Sequence, residues 1–352
     1  MTHLEKKQKT NIALTWWATW WHIFPLSSIY NYLKEDEEYD FIWVWEEWGL
    51  EKEIAEKNKI PFYDIPAWKL RRYFDWKNFY EPLKNLTGIF FWIYYILKYK
   101  IDIVFSKGWY VAIPLCIAAF ILRKKIYIHE SDTVSGIANK IIWKIATKVF
   151  YSFPHDNIDN KKFFVSWQIL NPELLEWIKD LYPWQNTRLW VLVIWWSQWS
   201  STIFKALLKS LEDLSDINFN VILWEKNKHF KNDFKKFSNV EVYDFLTQKK
   251  LGKILKTTDV AITRAWATTL WEQSAFGIHS IIIPLSNSAG DHQAKNAWYF
   301  KEKFWSDILD EEEKLEIEIF RRLIKYKSLR KNWLNLSWFF TALKIIEKEI
   351  RN

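Results

Sequence analysis

Short apolar runs rich in β-branched residues alternate with amphipathic stretches through the first half of the chain. The apolar runs predict buried strands at 12–14, Asp40–Val44, Ile101–Phe105, Ile126–His129, Lys148–Tyr151 and Phe163–Val165. The stretches between them predict helices at Ile23–Leu33, Tyr110–Leu122 and Ile137–Ile145. This succession is typical of a parallel sheet covered by helices on both faces.

The second half repeats the pattern. Its predicted strands are Leu189–Ile194, Asn220–Leu223, Val240–Tyr243, Asp259–Thr263 and Ser280–Pro284, and its predicted helices are Thr202–Leu211, Leu251–Thr257, Thr268–Phe276 and His292–Lys303. A length of 352 residues also suits two domains, because single cores stop growing near roughly 250–300 residues. The fold class is therefore α/β, with two doubly wound domains in tandem. Ligands of such domains bind at the carboxyl ends of the strands, and two domains facing one another would form a cleft there.

The pattern breaks at Ser166–Pro172, which places the boundary between domains 1–166 and 167–330. From Asp310 to Asn352 the chain is helical and charged, with an apolar stripe that includes Trp338, Phe339 and Phe340. We expect this end to pack against the domains rather than to form a free tail.

The composition departs from an ordinary protein in two residue types. About 25 glycines are expected in a chain of this length, whereas this one has 7, together with 26 tryptophans. Tryptophan doublets follow predicted strands in the segments 15–22 and 195–199, where a strand-to-helix turn needs residues without a Cβ. We hypothesise that the gene uses UGA for glycine, as some bacterial lineages do, and was translated with UGA as tryptophan. The alternative is that these are genuine core tryptophans. This interpretation is stronger for isolated cases such as Trp76, Trp92 and Trp333 than for the doublets.

Charge and cysteine content indicate which partners and which cellular compartment the protein has. The formal net charge of +8 predicts an anionic partner and leaves nucleic acid, an acidic membrane surface and a phosphorylated substrate open. The single cysteine, Cys116, excludes an internal disulfide and favours a reducing compartment. The N-terminal residues are polar, and the longest apolar runs, Gly88–Leu97 and Tyr110–Leu122, are shorter than a bilayer span of about 20 residues. We expect a cytoplasmic protein.

Candidate chemistry in the first half follows the predicted strands. The segment Thr15–Pro25 forms a possible phosphate loop with His22 as a general base or orienting group, although a lone histidine is often structural. Gly108 and Trp109 follow another strand and predict N–H donors that cradle an anion. His129–Asp132 could contact a sugar or a carrier head group, or Ser131 and Asp132 could cap the helix at Ile137.

In the second half, Ser197, Gln198 and a helix starting near Ser201 predict a nucleotide-phosphate site, because a helix N-terminus favours negative charge. Glu272 could bridge ribose hydroxyls or be an ordinary N-terminal helix acid. Asp291–Asn296 offers amide and carboxylate groups of the kind that bind sugar hydroxyls. No Asp-x-Asp, metal-ligand spacing or Walker motif occurs in the sequence, so a metal-independent reaction is the simpler interpretation.

With Trp read as Gly, five ordered segments resemble motifs of the MurG family. Residues 15–25 are similar to its Gly-Gly-x-x-Gly-Gly-His-x-x-Pro loop, 107–110 to its Gly-Gly-Tyr loop and 195–199 to its Gly-Gly-Ser-Gln-Gly loop. Residues 264–272 are similar to Arg-x-Gly-Ala-x-Thr-x-x-Glu, and 291–297 to Asp-x-Gln-x-x-Asn-Ala. Two stretches depart from the family. Residues 167–171 correspond to its Gly-Asn-Pro-x-Arg segment, in which Trp167 stands at the glycine. Asn171 stands where an arginine associated with the nucleotide base is expected, and Asp132 replaces the asparagine of a His-Glu-x-Asn stretch.

The resemblance implies a GT-B fold of two Rossmann-like domains, with residues 331–352 forming a helix that returns to the first domain. It implies an inverting hexosyltransferase of peptidoglycan and cell-wall synthesis, which transfers GlcNAc from UDP-GlcNAc to the C4 hydroxyl of MurNAc in lipid I. It also implies no cofactor, no metal and no nucleic-acid partner. His22 would be catalytic. UDP-GlcNAc would contact Thr15, Trp16, Trp17, Ala18, Thr19, Trp20, Trp21, Ser197, Gln198, Trp199, Arg264, Trp266, Glu272, Gln293 and Asn296, and the acceptor would contact Gly108, Trp109, Tyr110, His129, Glu130 and Asp132.

The stretch Arg71–Lys100 mixes basic and apolar residues and would suit docking on an anionic membrane surface at the cytoplasmic face of the plasma membrane, with a buried helix as the alternative. Two other functions remain open. One is a UDP-sugar transferase of the same fold that acts on diacylglycerol or a small metabolite. The other is a non-catalytic nucleotide-sugar or membrane-binding protein, which is what we expect of the polypeptide with tryptophan in its loops.

Overall fold

The computed structural model describes most of the chain and divides it into two compact units. The first unit comprises Met1–Ser131, Ser135–Ile169 and Phe340–Asn352, and the second comprises Asp132–Val134 and Leu170–Phe339. The described residues are 9–15, 20–45, 62–64, 77–110, 112–155, 158–159, 161–178, 187–194, 201–244, 246–286, 288–304, 306–311, 314–327 and 341–352.

The first unit is built on a seven-stranded sheet with the order β3-β2-β1-β4-β5-β6-β7. Its strands are β1 (Thr10–Thr15), β2 (Tyr39–Trp45), β3 (Phe62–Asp64), β4 (Ile101–Ser106), β5 (Lys125–Glu130), β6 (Lys148–Tyr151) and β7 (Phe163–Val165). Its helices are α1 (Trp20–Leu33), α2 (Lys77–Lys98), α3 (Ala112–Ile121) and α4 (Ile137–Ile145), with α12 (Ala342–Arg351) from the far end of the chain.

The second unit is built on a six-stranded sheet with the order β10-β9-β8-β11-β12-β13. Its strands are β8 (Trp190–Ile194), β9 (Asn218–Ile222), β10 (Val240–Tyr243), β11 (Val260–Thr263), β12 (His279–Ile282) and β13 (Asp307–Ile308). Its helices are α5 (Pro172–Ile178), α6 (Ser201–Ser210), α7 (Lys231–Phe234), α8 (Gln248–Thr257), α9 (Ala267–Ala275), α10 (His292–Phe304) and α11 (Leu315–Tyr326).

Every pairing between the described strands is parallel, and both sheets contain the 3-2-1-4-5-6 order of a dinucleotide-binding fold. Successive residues of β1 face opposite sides of the sheet. Ala13 packs in one apolar cluster with residues of α2, α3 and α4, whereas Ile12 and Leu14 pack in another with residues of α1 and α12. The prediction of two doubly wound α/β domains is confirmed.

Helix α12 completes one face of the first unit. Ala342, Ile346 and Ile350 enter the cluster that contains Ile12 and Leu14. At the end of the helix, the Arg351 guanidinium pairs with Asp36, Glu38 and Glu347. The end of the chain is thus held by both apolar packing and charge.

Most predicted elements are present with ends that differ by one to three residues, as for α8, which begins at Gln248 rather than Leu251. Strands β3 and β13 were not predicted, because three and two residues are too few to show a period. The charged end contains two helices, α11 and α12, and Trp338, Phe339 and Phe340 lie outside the described residues.

Candidate functional site

The carboxyl edge of the first sheet brings together the ends of β1, β4 and β5. Thr15 is the register partner of Ser106, and the Thr15 carbonyl accepts a hydrogen bond from the Lys107 backbone N–H at 3.1 Å. The Thr15 hydroxyl is buried without a hydrogen-bond partner among the described residues. Trp16–Thr19 lie outside the described residues. The backbone of Trp20, Trp21 and His22 forms the first turn of α1, but their side chains are not among those described.

The loop after β4 requires glycine at its second position. Gly108 has φ +88°, and a Cβ there would lie 1.8 Å from the Asn139 Oδ1. The Gly108 N–H donates to the Ser106 hydroxyl at 2.9 Å, and the Trp109 N–H donates to Asn139 Oδ1 at 3.0 Å. Asn139 in turn donates to a carboxylate oxygen of Glu130 at 2.7 Å. The two N–H groups expected to cradle an anion therefore bind protein groups, and the expectation fails at these two donors.

Two tryptophans occupy backbone conformations that favour glycine. Trp109 has φ 77° and Trp167 has φ 66°. A bulky side chain in the left-handed region is an outlier, because its Cβ crowds the following carbonyl. Both residues fall where the family motifs have glycine, so the backbone supports the recoding hypothesis at these positions.

We expect Trp109→Gly and Trp167→Gly each to stabilise the protein by up to about 1 kcal/mol. Relief of a left-handed conformation is worth roughly 1–2 kcal/mol, and part of it is offset by the greater freedom of glycine in the unfolded chain. Equilibrium chemical denaturation measures the change. The control is Trp92→Gly, because Trp92 is buried in α2 and its loss should cost several kcal/mol. Equal destabilisation by all three variants would contradict the prediction.

His129, at the end of β5, is completely buried. The Lys107 ammonium contacts its Nδ1 at 2.6 Å, and its Nε2 lies 3.0 Å from the Trp167 carbonyl oxygen. Burial, followed by the nearby Lys107 charge, lowers the pKa of His129 well below its ordinary value, so the ring is neutral. Both ring nitrogens bind protein groups, and direct contact of His129 with an acceptor stays a prediction that would require these bonds to be exchanged.

Ser131 and Asp132 do not cap α4, contrary to the alternative interpretation. The residue before the helix is Gly136, and no side chain caps it. Ser131 instead accepts a hydrogen bond from Lys107 at 2.5 Å, and Asp132 accepts one from Asn296 at 2.8 Å.

In the second unit, α6 begins at Ser201 after strand β8. Ser197, Gln198 and Trp199 lie outside the described residues. What the structure describes is the start of a ten-residue helix beyond the carboxyl end of a parallel strand, which is the arrangement that favours phosphate. Contact of Ser197 and Gln198 with a diphosphate stays a prediction.

Glu272 lies in α9, the helix that follows β11, and only 3% of its surface is exposed. No described residue donates a hydrogen bond to its carboxylate, and burial raises its pKa to about 8. A buried carboxyl group without a partner is costly unless a ligand supplies donors. Glu272 is therefore well suited to accept hydrogen bonds from ribose hydroxyls, and it is not a solvated acid of the first helical turn.

Arg264, expected to contact the donor, is itself buried and held by protein groups. Its guanidinium forms a bidentate pair with Glu311 at 2.6 and 2.9 Å and also donates to the carbonyls of Ile283 and Pro284. The pair connects the chain after β11 to the chain after β13, and the two carbonyl bonds connect it to the chain after β12. The bonds seen here shape the edge of the second sheet, and contact with UDP-GlcNAc stays a prediction.

Asn296 of α10 is engaged on both sides of its amide. Its nitrogen donates to Asp132 and to the Ala265 carbonyl, and its oxygen accepts from the backbone and hydroxyl of Thr133. Residues 132–134 belong to the second unit. The predicted acceptor contact Asp132 and the predicted donor contact Asn296 therefore bind each other.

Gln293 forms hydrogen bonds with the loop that precedes α10. Its Oε1 accepts from the Leu285 N–H at 3.0 Å, and its backbone N–H donates to the Ser288 hydroxyl. Trp266 precedes α9, and the centroid of its ring lies 6.0 Å from that of the imidazole of His292. Its buried indole N–H has no hydrogen-bond partner among the described residues. A glycine at position 266 would leave this space open.

Comparisons with known proteins agree with this geometry. The model of the glycosyltransferase family 28 N-terminal domain matches residues 13–151, and that of the glycosyltransferase family 28 C-terminal domain matches residues 191–331. A Clostridium botulinum protein (strain Alaska E43), named "UDP-N-acetylglucosamine--N-acetylmuramyl-(pentapeptide) pyrophosphoryl-undecaprenol N-acetylglucosamine transferase", is 30% identical over 93% of this chain and 92% of its own. The chain belongs to the MurG family. A Clostridium perfringens relative of the same name is 30% identical over 93% of both chains.

A solved MurG structure shares the fold. The crystal structure of Acinetobacter baumannii MurG has a TM-score of 0.71, covers 96% of this chain and 99% of its own, and is 19% identical. At this identity the likeness concerns the fold alone.

The local structure explains why asparagine stands at position 171, which departs from the MurG motifs. Asn171, which stands at the expected arginine, accepts a hydrogen bond from the Glu173 N–H at 2.9 Å at the start of α5. It serves the helix start, as asparagine commonly does. Sequence reasoning missed Lys107, Asn139 and Glu311, because their partners lie 22 to 47 residues away and no local motif marks them.

Proposed function

We propose that the protein transfers GlcNAc from UDP-GlcNAc to the C4 hydroxyl of MurNAc in lipid I, with inversion, and yields lipid II and UDP. The relatives named above are named as N-acetylglucosamine transferases that act between UDP-N-acetylglucosamine and N-acetylmuramyl-(pentapeptide) pyrophosphoryl-undecaprenol, at 30% identity over nine-tenths of the chain. The observation in the structure that best supports the proposal is Glu272, a buried carboxyl group without a described partner beyond the carboxyl end of the second sheet.

The residues divide between donor and acceptor. Glu272 would accept hydrogen bonds from the ribose hydroxyls and fix the nucleotide. The backbone around Ser197 and Gln198, at the start of α6, would stabilise the diphosphate as charge develops on the leaving group. His22 would orient or deprotonate the acceptor hydroxyl as it attacks the anomeric carbon.

A transfer assay tests the acceptor. The polypeptide isolated from its own cells is incubated with radiolabelled UDP-GlcNAc and either lipid I or diacylglycerol. We expect label in lipid II and none in a glycosylated diacylglycerol. Label on diacylglycerol instead would make the protein a UDP-sugar transferase of the same fold with another acceptor, and label in neither would favour a non-catalytic binding protein.

We also propose that the first unit docks on an anionic membrane surface at the cytoplasmic face of the plasma membrane. Large apolar side chains on three consecutive helices, α2 to α4, are exposed: Phe90, Tyr94, Leu97, Phe120, Ile121, Ile137 and Ile141. Phe90, Tyr94 and Leu97 share one face of α2, and Lys98 and Lys100 follow them. Within the described residues, no helix is both long and apolar enough to span a bilayer. A basic, apolar surface of this kind suits binding to anionic lipid.

Replacing Phe90, Tyr94 and Leu97 by serine should reduce co-sedimentation with phosphatidylglycerol vesicles at least about tenfold, because each side chain buries apolar area in the interface. The matched control is Ile317→Ser with Ile324→Ser, two exposed apolar residues of α11 in the second unit. An equal loss in the control, or equal binding to neutral phosphatidylcholine vesicles, would contradict the proposal.

A further inference from the structure

Five polar side chains form a buried cluster where β4, β5 and β6 end in the first unit. They are Lys107, His129, Ser131, Ser152 and Gln168, and none is more than 8% exposed. A lysine so deeply buried is rare unless it is paired. None of the steps proposed above uses this lysine.

The Trp167 carbonyl fixes the proton on His129. It lies 3.0 Å from Nε2, and a carbonyl can only accept, so Nε2 must carry a hydrogen. The Ser152 hydroxyl donates to Gln168 Oε1 at 2.6 Å and has no second proton to give to the histidine. In a neutral ring, the other nitrogen is then an acceptor.

Lys107 is the donor to that acceptor. Its Nζ lies 2.6 Å from His129 Nδ1 and 2.5 Å from the Ser131 hydroxyl, and an ammonium group has only donors. The opposite arrangement, with the hydrogen on Nδ1, would place Nε2 and the Trp167 oxygen together as two acceptors. Geometry therefore selects a single tautomer.

We propose that Lys107 is a positioning residue, which donates to Nδ1 of the Nε2–H tautomer of His129 and so holds the ring against the left-handed turn at Trp167. The chain of bonds joins the loop after β4, the end of β5 and the segment through which the chain leaves β7. The carbonyl at position 167 belongs to the backbone, so the bond does not depend on whether tryptophan or glycine stands there. In the reaction, and resting on the proposed function, Lys107 shapes the acceptor loop 108–110 without touching the acceptor.

Nitrogen NMR on the full-length protein with 15N-labelled histidine tests the tautomer directly. The His129 signals are identified by their loss in His129→Gln. We expect a neutral ring protonated on Nε2 at pH 7. A ring protonated on Nδ1, or on both nitrogens, would overturn the proposal, whether or not the protein is a transferase.

Kinetics in the transfer assay test the positioning role. Lys107→Met keeps the length of the side chain and removes the donor, so we expect the KM for lipid I to rise about tenfold, while the KM for UDP-GlcNAc changes less than about twofold. The milder Ser131→Ala removes one acceptor of Lys107 and should shift the KM for lipid I in the same direction by a smaller factor. Lys124→Met, which breaks a half-exposed pair with Asp102, is the matched control and should change neither KM. An equal rise in both KM values, or an unchanged 15N shift of the His129 Nδ1 in Lys107→Met, would contradict the role.

Discussion

A variant with glycine at the seven tryptophans of the two phosphate-loop segments should bind UDP, whereas the chain with tryptophan should not. The positions are Trp16, Trp17, Trp20, Trp21, Trp195, Trp196 and Trp199. Each indole brings roughly 150–250 Å² of side chain into a loop whose backbone N–H groups must reach a phosphate. We expect a gain of at least about a hundredfold in affinity, or ~2.7 kcal/mol, measured by isothermal titration.

A seven-alanine variant at the same positions separates two causes. Alanine removes the bulk of the indole but keeps the Cβ, so it should recover less binding than glycine wherever the loop needs positive φ. Tight UDP binding by the tryptophan chain would contradict the hypothesis. So would UGG codons at these positions, or tryptophan found there by mass spectrometry of the protein from its own cells.

Glu272→Gln, made in the glycine variant, should weaken UDP binding by roughly 10–100-fold above pH 8. An ionised carboxylate that accepts hydroxyl donors contributes about 1.5–3 kcal/mol, and the amide keeps the shape but loses the charge. Because the pKa of Glu272 is about 8, affinity in the parent should rise as the pH approaches 8, and the variant should lack this rise. Glu302→Gln, at an exposed position of α10, is the control.

Glu272→Gln should also change how the free energy of unfolding depends on pH. The pKa of Glu272 in the folded protein, about 8, lies above its ordinary 4.5, so the folded state keeps a proton that the unfolded state loses in between. The parent should therefore lose stability, on the order of a few kcal/mol, as pH rises from about 4.5 to 8. Denaturation curves at pH 5 and pH 8 should show a smaller loss for Glu272→Gln, and an equal loss would place Glu272 in a solvated setting.

The fold could be predicted from the sequence because each buried parallel strand appears as a continuous apolar run. Short edge strands such as β13 leave no such run. The candidate site was only partly predictable for a different reason. Strand-to-helix turns are local, so the turn at Gly108 and the position of Glu272 in the helix after β11 could be predicted, whereas their contacts with substrate stay predictions. The bidentate pair of Arg264 with Glu311 and the contact of Lys107 with His129 depend on distant strands meeting in space.

The tryptophan content also limits what the sequence can predict. The motifs indicate glycine at the turns at 109 and 167, but only the backbone angles show that these two residues adopt left-handed conformations. Trp92 differs, because it lies in a helix and is buried among aromatic neighbours such as Phe91 and Tyr95. The surroundings of each tryptophan therefore separate candidates for recoding from ordinary core residues.

Because α12 comes from the end of the chain, the first unit can be completed only late in synthesis on the ribosome. Residues 340–352 complete the first unit, yet they are translated only after the whole of the second unit. Until then, the face of the first sheet formed by Ile12 and Leu14 lacks the apolar side chains of Ile346 and Ile350. We therefore expect the nascent first unit to remain protease-sensitive and chaperone-dependent until Arg351 reaches Asp36 and Glu38.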